Sequence, residues 1–170
     1  MDLTALFSLN YGLYVLSTRD TDGKYVGCVI NAAMQITAEP PSMVVSSNID
    51  NYTTSAILRS GMFTLSVFSE QATLKTISMF GFRSCNEIDK FEAMPYIVTE
   101  SGLPVLTREV CAYVECKVTG TEDIHTHKLI KGDIIDARYL SKDPPMTYNY
   151  YHKVVKGKTP QKAASYQANQ

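Results

Sequence analysis

The sequence lacks several patterns that assign a chain to a function class. It contains neither a G-x-G-x-x-G stretch nor a G-x-x-x-x-G-K-[ST] stretch, which excludes a dinucleotide fold and a phosphate loop of the usual kind. Its four Cys include no C-x-x-C pair, so the zinc ribbon, rubredoxin and thioredoxin motifs are excluded as well. We predict reduced packing thiols at all four positions, which are Cys28, Cys85, Cys111 and Cys116.

The chain also has little net charge and no long apolar run. Its formal net charge is -1, whereas a protein that binds duplex nucleic acid carries a strong basic excess on one face. No window approaches the roughly 18 apolar residues of a membrane-spanning helix, and the first residues lack the basic start and apolar core of a signal peptide. We therefore expect a cytoplasmic protein that binds neither nucleic acid nor a membrane.

The charge is distributed unevenly. Residues 141–170 carry five Lys and one Asp, so the first 140 residues hold 11 basic and 16 acidic side chains. The basic segment also contains four Tyr, which is unlike a free linker. We predict one domain over residues 1–140 and a basic, Tyr-rich extension over residues 141–170 that packs on another surface. The alternative is a nucleic-acid arm, with Tyr stacked on bases and Lys on phosphates, but the acidic body disfavours it.

Alternating and β-branched runs predict six or seven strands, mostly in hairpin-like succession. Asp22-Gly23 indicates a hairpin, and Gly27 indicates a bulge in the strand that follows. Residues 112–118 alternate as in a half-buried strand, with Val114 and Cys116 on one face and Tyr113 on the other. Because the strands show no βαβ alternation, the pattern favours a closed or nearly closed barrel.

Two or three short helices are predicted between the strands. One extends over residues 51–60 and ends at Gly61, and a second covers residues 70–81. A further short helix is predicted to begin at Asn86.

Small polar side chains gather at the start of the first predicted helix. A helix N-terminus presents unpaired N–H groups and the positive end of the helix dipole, so a phosphate could bind there beside Asn48, Thr53 and Thr54. Alternatively, Asn51 or Thr53 simply caps the helix, and Asp50 disfavours an anion. The local sequence leaves both interpretations open.

Several stretches in a fixed order resemble a known family. They are N-x-x-x-Q-x-T-x-x-P-P (31–41), VSSN (45–48), the NYT helix start (51–53), SGMFTLSV (60–67), FGFRSCNEIDKFE (80–92), HTHKLIKGDIIDA (125–137) and YYHKVVKGKTP (150–160). Together they resemble the flavin reductase-like family of FMN-binding split barrels. The branch is the one that contains flavoredoxins, archaeal ferric reductases and the flavin domain of high-molecular-weight rubredoxin. The resemblance extends from Gly12 to Tyr166.

The resemblance implies a mainly β fold with short helices, an FMN-binding split barrel of antiparallel Greek-key type. It also implies a homodimer with FMN near the subunit interface. The extension over residues 141–170 would then pack on the barrel, where it would shield the flavin, or on the dimer partner. FMN is the implied cofactor, and NADH or NADPH is the implied reductant.

The resemblance further implies a set of cofactor-binding residues. Backbone groups of residues 31–35 would line the edge of the isoalloxazine ring, and Ser46 or Ser47 would reach the ribityl chain. The phosphate would lie at the helix start, opposite a cation supplied first by Lys90 and second by Arg83. The full set is Asn31, Ala32, Ala33, Met34, Gln35, Ser46, Ser47, Asn48, Tyr52, Thr53, Thr54, Arg83 and Lys90.

His127 is the side chain that the resemblance places beside the flavin and the nicotinamide, where it could donate a hydrogen bond or a proton. If the surrounding stretch is a strand, His125 and His127 share one face and a metal pair is conceivable. No carboxylate or Cys with ligand-like spacing accompanies them, so we predict no metal site.

Three functions are consistent with these observations. The favoured one is an enzyme in which NAD(P)H reduces bound FMN, which passes electrons to free flavin, ferric iron or a redox protein. The second is a flavoredoxin-like electron carrier that another protein reduces. The third is a non-catalytic barrel that binds flavin or haem.

Overall fold

Residues 2–85 and 87–166 are described by a computed structural model, and they form mainly antiparallel β-structure. None of the helices in these ranges is long and apolar enough to cross a membrane. The strands are β1 (Tyr14–Arg19), β2 (Tyr25–Ile30), β3 (Ala33–Ala38), β4 (Pro41–Asn48), β5 (Met62–Phe68), β6 (Tyr96–Val98), β7 (Pro104–Leu106), β8 (Val110–Ile124) and β9 (His127–Tyr139). The helices are a 3-10 turn (Leu3–Ser8), α1 (Tyr52–Ser60), α2 (Leu74–Phe82) and α3 (Tyr148–Lys153).

Seven of the strands form one sheet that is rolled around an apolar core. Their order is β2-β1-β5-β8-β9-β4-β3, and β6 and β7 form a separate hairpin. Strands β2 and β4 are separated by four others in this order, yet Ile30 and Val45 belong to the same buried cluster. Two such strands can share a core only if the sheet curls, so the sheet forms a barrel-like wall. The cluster also contains Leu16, Cys28, Met43, Ile57, Phe63, Leu65, Cys116 and Ile130.

The hairpin predicted at Asp22-Gly23 is present, but the bulge predicted at Gly27 is wrong. Strands β1 and β2 pair without a register shift along their whole length. Gly27 is needed for close packing instead, because a Cβ there would lie 2.9 Å from Ser17 Oγ and 3.3 Å from the Leu16 carbonyl oxygen.

Strand β8 is covered on both faces near its start, so the predicted half-buried strand is only partly correct. Val114 and Cys116 pack against the barrel core as expected. Tyr113 and Glu115 are also buried, at 4% and 3% exposure. The Thr99 hydroxyl, just after β6, donates to Glu115 Oε1 at 2.8 Å. Periodicity along β8 could not reveal this cover, because the covering residues come from elsewhere in the chain.

The first two predicted helices are present, and the third is not. Helix α1 ends at Gly61, whose φ of 71° suits glycine and whose N–H donates to the Ile57 carbonyl at 2.8 Å. Helix α2 begins after Thr73, whose hydroxyl accepts a hydrogen bond from the Thr76 N–H. Residues 87–94 form turns, not a helix, and Asn86 lies outside the described residues.

A buried carboxylate fastens α1 to the β1–β2 hairpin. Asp20 is 6% exposed and binds the Arg59 guanidinium through both of its oxygens, at 2.9 to 3.1 Å. The Tyr52 hydroxyl donates to the same carboxylate. Hydrogen bonds from Arg59 and Tyr52 hold the pKa of Asp20 well below its usual range. This cluster therefore fixes both ends of α1.

We expect Asp20→Asn to lower the free energy of unfolding at pH 7 by about 2 kcal/mol, because charge-assisted hydrogen bonds are lost. The figure allows for the 42% exposure of the Arg59 side chain. Since the folded pKa is depressed, the stabilisation is complete above the unfolded pKa of about 3.9 and declines as the pH falls below it. Urea denaturation should show the gap between variant and wild type closing below about pH 4.

The matched control is Asp22→Asn, which removes an exposed carboxylate from the same hairpin. Its amide oxygen can still accept the hydrogen bond that Asp22 receives from the Lys24 N–H. We expect a change of less than about 0.5 kcal/mol. A gap for Asp20→Asn that stays constant down to pH 3 would show that the charge of Asp20 does not stabilise the fold.

The chain after β9 folds back onto its own barrel. Met146, Tyr148 and Tyr151 are buried in a second apolar cluster with residues of β1, β5 and α2. A bridge between Gly12 and Thr147 fastens this segment near its start. The division into residues 1–140 and 141–170 stays a prediction, and residues 167–170 lie outside the described part of the chain.

Candidate flavin site

A cavity of about 490 Å³ lies between β2, α2 and the chain that follows α3. Leu13, Ile30, Ile77 and Phe80 give it an apolar lining, and residues 158–163 cover it from one side. Small-molecule sites are typically apolar concavities of this size with a few polar groups that fix the orientation of the ligand.

A second cavity of about 210 Å³ adjoins the first at the N-terminus of α1. Cys28, Asn51 and Arg83 line both cavities, so one ligand can extend from one into the other. The second cavity is the more polar end, because Thr53 and Lys90 also line it.

Lys90 is a buried cation that belongs to none of the ion pairs within residues 2–85 and 87–166. It is 2% exposed, and its Nζ donates to the carbonyl oxygens of Gly27 at 2.8 Å and Phe80 at 3.2 Å. Asp50 and Glu87 line the same cavity, but both are exposed, and neither forms an ion pair with Lys90. Since a buried ammonium group needs a compensating charge, the cavity favours an anionic group beside Lys90.

The N-terminus of α1 reaches the same cavity without a side-chain cap. Asn51 occupies the N-cap position, but its side chain accepts no hydrogen bond from the helix. Its amide nitrogen lies 3.8 Å from Cys28 Sγ instead. Asn51 therefore does not cap the helix with its side chain, as the alternative interpretation of this helix start requires. A phosphate group there would meet both the helix dipole and the charge of Lys90.

The predicted hydroxyl cluster serves two different purposes. Thr53 is 1% exposed and lines the cavity, with its Oγ1 3.9 Å from Cys85 Sγ. Thr54 is also buried, but its hydroxyl donates to the Asn48 carbonyl at 2.8 Å and lies 2.7 Å from Ser47 Oγ. Thr54 and Ser47 therefore join α1 to β4, and Thr53 is the hydroxyl that a ligand in this cavity would meet.

Cys28, beside the cavity, and Cys116, in the barrel core, are packing groups. All four Cys are free and buried. Burial raises the pKa of Cys28, although the nearby Lys90 charge opposes the shift. Burial also raises the pKa of Cys116 to about 12. Neither thiol has the depressed pKa of a reactive cysteine.

Residues 31–35, which were predicted to line the edge of the ring, do not all lie at the cavity. Asn31 is 3% exposed and lines the larger cavity, where its amide nitrogen donates to Ser165 Oγ at 2.6 Å. The next residues leave this cavity and enter β3, an edge strand on which Met34 is 62% exposed. Residues 32–35 and Ser46 line neither of the two cavities. Their role in binding stays a prediction.

The polar groups of Tyr52 and His127 contact other side chains and do not point to a ligand. Tyr52 borders the smaller cavity, but its hydroxyl is bound to Asp20, so it supports the helix. His127 begins β9 opposite Asn48, with its Nδ1 2.9 Å from Thr126 Oγ1, and it lines neither cavity. His125 adopts a φ of 52° between β8 and β9, so the strand face assumed for a histidine pair is wrong.

Other cavity residues were not predicted. Sequence reasoning missed the aromatic residues of α2, and it assigned the C-terminal extension to the flavin or the partner chain without naming which of its residues line the cavity. The motif YYHKVVKGKTP was a usable signal, because it belongs to the resemblance and contains part of this segment. The missed lining residues include Cys28, Asn51, Phe80, Phe82, Tyr148, Tyr151 and residues 158–163.

The sequence model of the flavin reductase like domain matches residues 6–158. This chain belongs to the flavin reductase-like family. A high molecular weight rubredoxin of Moorella thermoacetica is 40% identical over 166 residues, which are 98% of this chain and 72% of that protein. A ferric-chelate reductase (NAD(P)H) of Archaeoglobus fulgidus is 36% identical over 98% of both chains. The solved flavoredoxin from Methanosarcina acetivorans matches with a TM-score of 0.69 at 24% identity, covering 80% of this chain and 74% of that one.

Family membership confirms the predicted fold class, antiparallel β with short helices of the flavin reductase type. It also confirms the prediction of an oxidoreductase that works with flavin and NAD(P)H. The individual flavin contacts stay predictions, and the two joined cavities are where the described residues fit them best.

Proposed function

We propose that the protein binds FMN in the two joined cavities and uses NADH or NADPH to reduce it. The observation that carries this proposal is the buried Lys90 ammonium beside the uncapped N-terminus of α1, at the polar end of an apolar cavity. Bound FMN would supply the chemistry, by taking a hydride from the nicotinamide and passing electrons to an acceptor.

The residues of this chain would bind and shield the cofactor. The phosphate would accept hydrogen bonds from Lys90, Thr53 and the first N–H groups of α1, with Arg83 at the cavity edge as a second cation. The apolar cavity beside α2 would hold the ring, and Asn31 would contribute an amide at its wall. Residues 158–163 would exclude water from that side. No residue of this set needs to act as a nucleophile.

The proposal also includes a homodimer and an electron acceptor. Residues 32–35 and His127 lie outside the cavities of one chain, and Met34 and Ile36 expose apolar side chains on the edge strand β3. A homodimer that covers this edge could bring these residues to a flavin, which is why we propose one. The four free thiols suit the cytoplasm. Free flavin, a ferric chelate or a redox protein would accept the electrons.

An anaerobic absorbance spectrum tests this function. The purified protein is supplied with FMN, freed of excess flavin by gel filtration, and mixed with NADH and then with NADPH. We expect a two-banded flavin spectrum that remains with the protein and bleaches with at least one nucleotide. A yellow protein that neither nucleotide bleaches would instead be an electron carrier reduced by another protein. A protein that retains no FMN would contradict the proposal.

A further inference from the structure

Two carboxylates lie at the open end of the smaller cavity. Asp50 and Glu87 both line this cavity and are exposed, whereas Lys90 and Thr53 line it at 2% and 1% exposure. Lys90 is therefore at the closed end, and an anion that enters from solvent passes the two carboxylates before it reaches the ammonium group. We define Asp50 and Glu87 as the acidic mouth of the cavity.

The acidic mouth offsets the other exposed charges of this cavity. Arg83 and Lys162 are the exposed cations of its lining, so the lining carries three cations and two carboxylates in all. At the open end, the two cations and the two carboxylates cancel. The positive charge in excess is that of Lys90, at the closed end.

The carboxylates of the acidic mouth are not committed to ion pairs, because neither belongs to one within the described part of the chain. Their main chain is held in place. The Asp50 N–H donates to Asn48 Oδ1 at 3.0 Å, and Lys162 Nζ donates to the Asp50 carbonyl oxygen at 3.4 Å. The Glu87 N–H donates to the Ser84 carbonyl at 3.1 Å. The two negative charges therefore act on a ligand in the cavity.

Flavin mononucleotides and dinucleotides distribute their charge differently. The phosphate monoester of FMN carries about -1.5 to -2 charges at pH 7, all on one group. In FAD a similar charge is spread over two linked phosphates, each with a single negative charge. FMN therefore brings its whole charge to Lys90, whereas FAD leaves about half of it near the open end. There the lining offers no net positive charge, and the acidic mouth repels an anion.

The size of the smaller cavity also suits a mononucleotide. Its volume of about 210 Å³ is less than half the 490 Å³ of the larger cavity. A phosphate group fits this space, whereas the adenosine of FAD has to extend through the acidic mouth into solvent. Contacts of the adenosine with the protein would then do little to offset the repulsion of the second phosphate.

We propose that Asp50 and Glu87 select flavins that end in a phosphate monoester and reject flavin dinucleotides. The inference rests on the proposed function, which names FMN as the ligand without saying what excludes FAD. It assigns that exclusion to two residues at the open end of the cavity, away from the ring and from the closed end at Lys90.

Calorimetric titration of the flavin-free full chain with riboflavin, FMN and FAD at low ionic strength tests the selection. We expect the Kd of FAD to exceed that of FMN at least about 30-fold. Asp50→Asn/Glu87→Gln should lower this ratio about fivefold, mainly by tighter FAD binding. The reason is that a carboxylate about 5 Å from a phosphate charge weakens binding about fourfold even in surroundings like bulk water. Riboflavin has no phosphate, so its Kd should change less than twofold.

The matched control is Glu100→Gln/Glu122→Gln. It removes the same two negative charges from exposed side chains that line neither cavity. We expect it to change the ratio of the two Kd values less than twofold. The selection by the acidic mouth would be overturned by a wild type that binds FAD as tightly as FMN. A ratio that Asp50→Asn/Glu87→Gln lowers no more than the control does would overturn it equally.

This inference and the proposed function fail in different ways. If FMN and FAD bind equally well and NADH or NADPH bleaches the bound flavin, the function stands and the acidic mouth does not select. If FMN binds and FAD is rejected as expected, but neither nucleotide bleaches the flavin, the selection stands and the enzymatic function fails. A protein that binds none of the three flavins would overturn both.

Discussion

Lys90→Met is expected to leave the protein folded while lowering its affinity for FMN about 100-fold. The Lys90 ammonium donates two hydrogen bonds to backbone carbonyls and lines the cavity at the start of α1. Its third N–H and its positive charge are therefore available to a ligand there. Charge-assisted hydrogen bonds to a buried anion contribute about 1.5–3 kcal/mol, and 2.7 kcal/mol corresponds to a hundredfold change in Kd. Quenching of flavin fluorescence during titration with the protein measures the change directly.

The folded state without flavin should tolerate this substitution. Removing a buried ammonium group that pairs with no carboxylate of the described residues relieves a desolvation penalty, while the carbonyl oxygens of Gly27 and Phe80 each lose a donor. These effects oppose each other, so we expect the Tm of the flavin-free variant to stay within about 4 °C of wild type. The Tm gained on adding FMN should fall with the affinity.

Lys24→Met is the matched control for Lys90→Met. The Lys24 ammonium donates to the Cys85 carbonyl at 2.9 Å, so it holds the same loop, but Lys24 lines neither cavity of the proposed site. We expect its FMN affinity to change less than threefold. If Lys90→Met binds FMN as the wild type does, the phosphate lies elsewhere. If it fails to fold, Lys90→Arg should fold and recover binding only in part, because the planar guanidinium replaces a point charge.

The helix start shows how far local sequence can predict a site. The bounds of α1 could be predicted from Gly61 and from the polar run before the helix, because the signals that start and end a helix lie in adjacent residues. Local sequence could not show which hydroxyls are occupied. Thr53 and Thr54 are adjacent and equally buried, yet Thr54 bonds to β4 and Thr53 lines the cavity. They differ because successive residues of a helix point about 100° apart, so Thr54 faces β4 and Thr53 faces the cavity.

Contacts between distant segments were beyond the sequence patterns. The resemblance implies that Tyr52 lies near the phosphate, and no local pattern indicates that its hydroxyl binds Asp20, 32 residues earlier in the chain. Lys90 could be selected from its motif, whereas its burial depends on the carbonyl of Gly27, 63 residues away. The Gly27 bulge was wrong for the same reason: glycine was needed for close approach of other elements, not for an irregular strand.

Gly157→Ala is expected to destabilise the protein by about 3 kcal/mol and to lower its Tm by about 10 °C. A Cβ at this position would overlap the ring of Tyr151, which is 2% exposed in the second core cluster. The Gly157 N–H also donates to the Tyr151 carbonyl at 3.1 Å, so the two residues cannot simply move apart. Because Tyr151 lines the larger cavity, FMN affinity should fall as well.

Gly81→Ala provides a control that adds the same methyl group beside the same cavity. Its Cβ would lie 3.6 Å from the Val29 Cβ, an ordinary contact, and α2 would gain about 1 kcal/mol of helix propensity. Calorimetry should therefore give an unchanged or raised Tm for the flavin-free variant.

A double-mutant cycle identifies the cause of the Gly157 effect. Tyr151→Leu removes the ring atoms that the new Cβ would overlap, so adding Gly157→Ala to it should cost less than about 1 kcal/mol. If instead the two losses add in full, the ring of Tyr151 is not what excludes a side chain at residue 157. Contacts other than the Tyr151 ring would then hold the cover formed by residues 158–163. The next contact to test for an effect on flavin affinity would be the hydrogen bond that the Asn31 amide donates to Ser165 Oγ at 2.6 Å.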